Sequence, residues 1–184
     1  MTRRGLPTVL LAALAALLMT AASLLAVALL GPPAVVRPAG APACTVPGLP
    51  GTQVRVTETD MGAGMMGRSV MRRGMRLSVD RASVPHGQVS LVATNLGSVP
   101  HELLVLPLPQ GQALGARAVG ADGTVDETGS LGEASASCAA GTGEGIAPGA
   151  ASWVTLALPA GHYELLCNLP GHYLAGMFAE LTVT

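Results

Sequence analysis

"HYELLCNLPGHYLAGMFAELTVT", residues 162–184, ends the chain as two apolar stretches joined by a turn-rich loop. "HYELLCN" (162–168) and "MFAELTVT" (177–184) carry branched and aromatic residues suited to a pleated surface, and Pro170-Gly171 breaks the run between them. Across that loop Cys167, His172 and Met177 stand at even five-residue steps, as C-x4-H-x4-M. A thiolate, an imidazole and a thioether are soft or borderline donors, and the set suits copper better than calcium or magnesium. A structural zinc site would normally ask for four Cys and His. Ordinary packing explains Cys167 as a small buried hydrophobe and Met177 as a gap-filler, one at a time, but not their joint spacing. The loop lacks a second His. His101, in "NLGSVPHELLVLP" (95–107), heads an earlier apolar run, where sheet pairing can bring it beside the loop. Two His and one Cys with a long axial Met form the electron-transfer copper arrangement.

Working outward, short β-like runs recur between turn residues. "TQVRVTET" (52–59) and "MRLSVD" (75–80) alternate, and "SVPHG" then reads as a turn. "QVSLVATN" (88–95), "HELLVLPL" (101–108) and "ASWVTLALP" (151–159) follow, giving seven strands with the two C-terminal ones. No helical period competes in this part of the chain. The expected class is all-β, a two-sheet sandwich. The stretch 107–149 is long for a connection and holds five acids against Arg117 alone. It reads either as a loose insertion or as a loop pinned at Cys138, with a short helix conceivable in "GSLGEASASCAA" (129–140).

Ten Arg, no Lys and eleven acids leave no basic face for nucleic acid. Residues 6–30 carry no charge, and 25 helical residues reach about 37 Å, enough for a hydrocarbon core of about 30 Å. Arg3 and Arg4 precede them and place residues 1–5 in the cytoplasm. The segment is either an uncleaved transmembrane anchor or a signal segment with "APA" at 41–43 as its cleavage site. Both readings put the remainder outside the cytoplasm: a Pro/Gly/Ala-rich linker at 31–51, then a copper domain at 52–184. Three cysteines are an odd count. If Cys167 serves a metal, Cys44 and Cys138 remain to pair in an oxidising compartment.

Residues 60–75 hold five Met and three Arg. This segment reads as core packing, as an adaptable docking surface, or as a secondary Cu(I) thioether patch with Met61, Met65 and Met66 as candidate ligands. His86 and His162 fall in turns and read as surface residues.

"YELLCNLPGHYLAGMFAELTV" resembles the C-terminal ligand loop of cupredoxins, the blue type 1 copper proteins, and "NLGSVPHEL" resembles the segment that supplies their first His. The loop spacing is similar to that of the sulfocyanin and rusticyanin group. The resemblance implies a Greek-key β-sandwich with one type 1 copper, His101, Cys167 and His172 as equatorial ligands and Met177 as the axial one. It also implies an electron port at His172 within an apolar patch of Leu169, Pro170, Tyr173 and Leu174. Many cupredoxins carry Asn after the first His and Ser or Thr after the Cys, tethering the two ligand strands; Glu102 and Asn168 stand there in this chain. The expected function is one-electron transfer between respiratory partners, such as a membrane cytochrome complex or a terminal oxidase. No open substrate position and no nucleophile–base set is implied, so the chain reads as a carrier and not an enzyme, with no small-molecule substrate. Copper storage or delivery through the Met-rich segment is the alternative.

Overall fold

The computed structural model describes residues 44–60 and 74–184. The apolar segment 6–30, most of the linker, and Met61, Met65 and Met66 lie outside the described residues. Among the described residues there is no helix, and so none long and apolar enough to cross a membrane.

The described residues form nine strands: β1 Thr52–Thr59, β2 Arg76–Val79, β3 Ser83–Val84, β4 Gly87–Asn95, β5 Leu103–Pro107, β6 Gly132–Ala134, β7 Ala151–Leu158, β8 Gly161–Leu166 and β9 Phe178–Val183. They make two mixed sheets, ordered β2-β1-β4-β7 and β3-β9-β8-β5-β6. β1 runs parallel to β4 with Val54 opposite Leu91, and β3 runs parallel to β9; the other pairings are antiparallel. The all-β sandwich expected from the alternating runs is present, with two strands more than the seven expected. "SVPHG" opens with β3, a two-residue strand that borders β9. The stretch considered for a helix holds β6, paired to β5.

Alternation builds the core. Val54 and Val56 of β1 and Val89, Leu91 and Ala93 of β4 face Leu103, Val105, Leu165, Leu181 and Val183 of the second sheet in one buried cluster. Each such side chain taken out of water contributes roughly 1.5–3 kcal/mol. Cys167 and Met177 belong to the same cluster, so the ligand loop is continuous with the core.

β5 does not alternate. Leu103 to Leu106 are all buried, because the second face of this sheet is covered as well. Leu104, Leu106 and Leu166 pack outward with Tyr173 and with Val125 of the insertion. The insertion is thereby an outer layer and not a loose loop. Its single base, Arg117, reaches in: Nε donates to Glu164 Oε2 at 2.6 Å, and Tyr173 Oη donates to Glu164 Oε1 at 2.9 Å. Glu164 is buried, and the Arg117 guanidinium together with the Tyr173 hydroxyl and the Gly115 N–H gives its carboxyl group the three donors that such burial requires.

Cys44 and Cys138 form the expected disulfide, with Cα atoms 4.9 Å apart and a sequence separation of 94. It joins the first described residue to the far side of the insertion. Cys167 is the free, buried cysteine among the described residues.

Candidate metal centre

Local sequence explains the ligand loop. Cys167 N–H donates to Met177 O at 3.0 Å, closing the loop across the base of the β8–β9 pair. Leu169-Pro170-Gly171-His172 matches the type II turn, with Pro at the second position, Gly at φ 83° at the third and His172 N–H bonded to Leu169 O at 3.0 Å. Met177 N–H then donates to His172 O at 3.2 Å, which holds the two residues in register.

His101 arrives from the other side. Its backbone bridges Ile146, donating at 3.2 Å and accepting at 2.6 Å, and its side chain is fully buried. The 96–100 loop before it is wired by buried Asn95, whose Nδ2 donates to Val99 O and Ile146 O, each at 2.7 Å, and whose Oδ1 accepts from Gly97 N–H at 2.8 Å.

One ligand atom from each of His101, Cys167 and His172 lies within 4.8 Å of the others. His172 Nδ1 is 3.3 Å from Cys167 Sγ and 3.3 Å from His101 Nδ1. Met177 is fully buried in the same cluster. Sheet pairing thus brings together the four residues that the sequence singled out.

The donor chemistry fits a soft monovalent or borderline divalent ion. Burial lowers the pKa of both imidazoles and so favours their neutral form, which carries a lone pair. Burial pushes the Cys167 thiol up to about 12, opposed by the backbone N–H groups of Leu169 and Glu102 that point at the sulfur. A buried thiol of this kind gives up its proton when a cation takes that proton's place.

The departure at Glu102 and Asn168 does not remove the tether. Asn168 N–H donates to Glu102 Oε1 at 3.0 Å, linking the residue after the first His to the residue after the Cys. Asn168 also clamps the insertion: its Oδ1 accepts from Val125 N–H at 2.7 Å, and its Nδ2 donates to Val125 O at 3.0 Å and Glu127 Oε1 at 2.7 Å. Gly171 N–H donates to Gly123 O at 2.9 Å, a second stitch between insertion and ligand loop.

The proposed port needs one correction. Leu174 is 66% exposed, Pro170 is exposed, and His172 and Leu169 are half-buried. Tyr173 is not part of that surface. It is 2% exposed and turned toward Glu164, because a neighbour of opposite orientation in a tight loop faces the inner side. Leu96 and Val99, on the loop before His101, are exposed apolar residues that sequence reading passed over.

Two further residues were missed. Asp60 Oδ2 lies 3.1 Å from His101 Nε2. Burial alone would raise its pKa, but hydrogen bonds from Ser98, His101 and Val99 outweigh burial and hold the carboxyl below its ordinary value. Glu58 is fully buried on β1, and neither carboxyl oxygen has a hydrogen-bond partner among the described residues.

Burial, with help from the charge of Glu102, raises Glu58 to about 8. The folded state therefore favours neutral Glu58. Its contribution is fully present below the unfolded value of 4.5 and is lost as pH rises toward 8. Glu58→Gln cannot ionise, so the apoprotein variant gains stability over the parent as pH rises from 4.5 to 8. The gain reaches a few kcal/mol, at roughly 1.4 kcal/mol per pH unit. Urea midpoints of both apoproteins at the two pH values check it; an unchanged difference refutes it.

The sulfocyanin (SoxE) domain family model matches residues 81–184, more than half of the chain. No curated protein matches the chain. Among solved structures, auracyanin B is 24% identical, with 79% of this chain and 96% of that chain covered and a TM-score of 0.45. Auracyanin from Roseiflexus castenholzii is 19% identical over 73% and 98%, at 0.44. Rusticyanin from Thiobacillus ferrooxidans is 20% identical over 77% and 86%, at 0.42. With the family match spanning both His segments and the C-terminal ligand loop, the chain belongs to the sulfocyanin family, cupredoxins that bind one type 1 copper.

Proposed function

We propose that the chain is a membrane-tethered, extracytoplasmic one-electron carrier between respiratory partners, a membrane cytochrome complex or terminal oxidase among them. The observation that carries this is the convergence of three donor atoms within 4.8 Å, of which only His172 belongs to a half-exposed residue. Copper bound there supplies a single electron by exchange between Cu(I) and Cu(II). His101, Cys167, His172 and Met177 would hold it. The core behind Cys167 and Met177 excludes water. The two backbone bonds joining Cys167, His172 and Met177 resist rearrangement of the loop between redox states. Leu169, Pro170 and Leu174 around His172 make an apolar surface fit for brief contact.

The Cys44–Cys138 disulfide supports an oxidising compartment. The uncharged residues 6–30 support an anchor, and a tether raises the effective concentration of the carrier near its partners.

Mixing reduced, copper-loaded protein with a Cu(I) chelator and then cycling it with a one-electron oxidant and reductant separates a carrier from a delivery protein. A carrier keeps its copper through repeated cycles. Loss of the metal to the chelator on mixing favours delivery and overturns this reading. Release of the full chain from membranes by a high-salt wash overturns the tether.

A further inference from the structure

The copper-facing side of His101 is matched by an equally ordered outer side. Asp60 directly follows β1 of one sheet, while His101 leads into β5 of the other, so their contact joins the two sheets at the metal end. Asp60 Oδ2 accepts from Ser98 N–H at 2.6 Å and Val99 N–H at 3.3 Å, Oδ1 accepts from Ser98 Oγ at 2.6 Å, and His101 Nε2 completes the set at 3.1 Å. The Asp60 side chain is only 6% exposed, and its single ion-pair partner among the described residues is His101. The loop is shaped around this carboxylate. A Cβ at Gly97 would stand 1.8 Å from Asp60 Oδ2 and 2.9 Å from His101 Nε2, so only glycine lets the backbone pass.

This contact decides which nitrogen of His101 carries the proton. A bare Nε2 would set its lone pair against a carboxylate lone pair. A protonated Nε2 donates to Asp60 and leaves Nδ1 bare. Nδ1 is the atom that faces His172 Nδ1 at 3.3 Å, inside the donor cluster. A carboxylate behind a metal-ligating imidazole both orients the ring and strengthens it as a donor.

We propose that Asp60 is a positioning residue for His101, fixing the Nε2–H form and biasing the site toward its cupric state. The inference rests on the copper reading of the site. A negative charge transmitted through the ring favours Cu(II), which carries the larger charge, over Cu(I). Asp60 thereby lowers the reduction potential as well as bracing the loop.

Asp60→Asn separates these roles. An asparagine of the same shape keeps an oxygen for His101, Ser98 N–H and Val99 N–H. Its NH2 group meets Ser98 Oγ, which turns to accept. Geometry survives and the charge is gone. Cu(II) affinity is expected to fall about 10–100-fold, with Cu(I) affinity changing less. Each tenfold loss of Cu(II) relative to Cu(I) raises the potential by about 59 mV for one electron. A residue that merely braces the loop would leave the potential of this variant at the parent value. That result, or a lower potential, overturns the proposal.

The second readout needs neither copper nor a variant. Nitrogen-15 NMR of the wild-type apoprotein at neutral pH is expected to show His101 protonated at Nε2; a proton on Nδ1 overturns the proposal. The NMR arm also keeps the two readings apart. Failure of the wild-type protein to take up copper sinks the carrier, while the tautomer of His101 is still read in the apoprotein.

Discussion

Cys167→Ser abolishes the intense visible absorption of the Cu(II)-loaded protein near the red end of the spectrum while leaving an apoprotein that folds. The band arises from charge transfer out of the thiolate, and Cys167 is the free cysteine among the described residues, fully buried and 3.3 Å from His172 Nδ1. A serine hydroxyl is a harder and far less acidic donor and does not replace a thiolate on copper. The effect is therefore complete loss and not a shift. His101→Ala runs in parallel, with the Cys retained: its band should weaken and move, because the Sγ-to-copper interaction persists in an altered field. A Cys167→Ser protein that stays blue would place the metal elsewhere.

The second large effect is on stability. Replacing both Cys44 and Cys138 by Ser should lower unfolding free energy by about 4–5 kcal/mol in the chain-entropy model, since the bridge closes a loop with a sequence separation of 94. That is a large share of the 5–15 kcal/mol of an ordinary domain. The visible band of the folded, copper-loaded double variant should be unchanged, because the bridge binds the insertion and the domain start and contributes no ligand. Urea unfolding of parent and variant checks it. A loss below about 1 kcal/mol would show that the insertion is held instead by Asn168, Arg117 and the packing of Val125.

The parts legible in the sequence were those encoded locally. C-x4-H-x4-M lies within one loop, and Pro170-Gly171 announces its turn. Alternation in β1 and β4 reveals a strand with one buried side. β3 and β6, at two and three residues, are too short to show a period. The covering role of the insertion was readable in principle. "LLVL" in β5 is an unbroken apolar run, which a strand carries when both faces are buried.

Asp60 had no such signal. It stands 41 residues from His101, and only the pairing of sheets brings them together. Glu102 stood out in the sequence as a departure from the Asn that many cupredoxins carry after the first His. The structure shows that a longer carboxylate reaches the same neighbour, through the backbone N–H of Asn168. Residue identity was a poor guide there because a backbone N–H donates to either kind of side-chain oxygen. Glu58 on β1 shows the opposite limit. Its place in the alternation, with Val54 and Val56, puts it in the core, which a reader of polarity alone would not expect.

The most direct test of the central claim is a Cu(II) titration of the wild-type protein followed by visible absorption and EPR. One thiolate, two imidazoles and a thioether around a single ion should give an intense band near the red end that saturates at one copper per chain, with the compressed copper hyperfine splitting of a strongly covalent Cu–S bond. A colourless protein, or a spectrum of ordinary square-planar Cu(II), would contradict it.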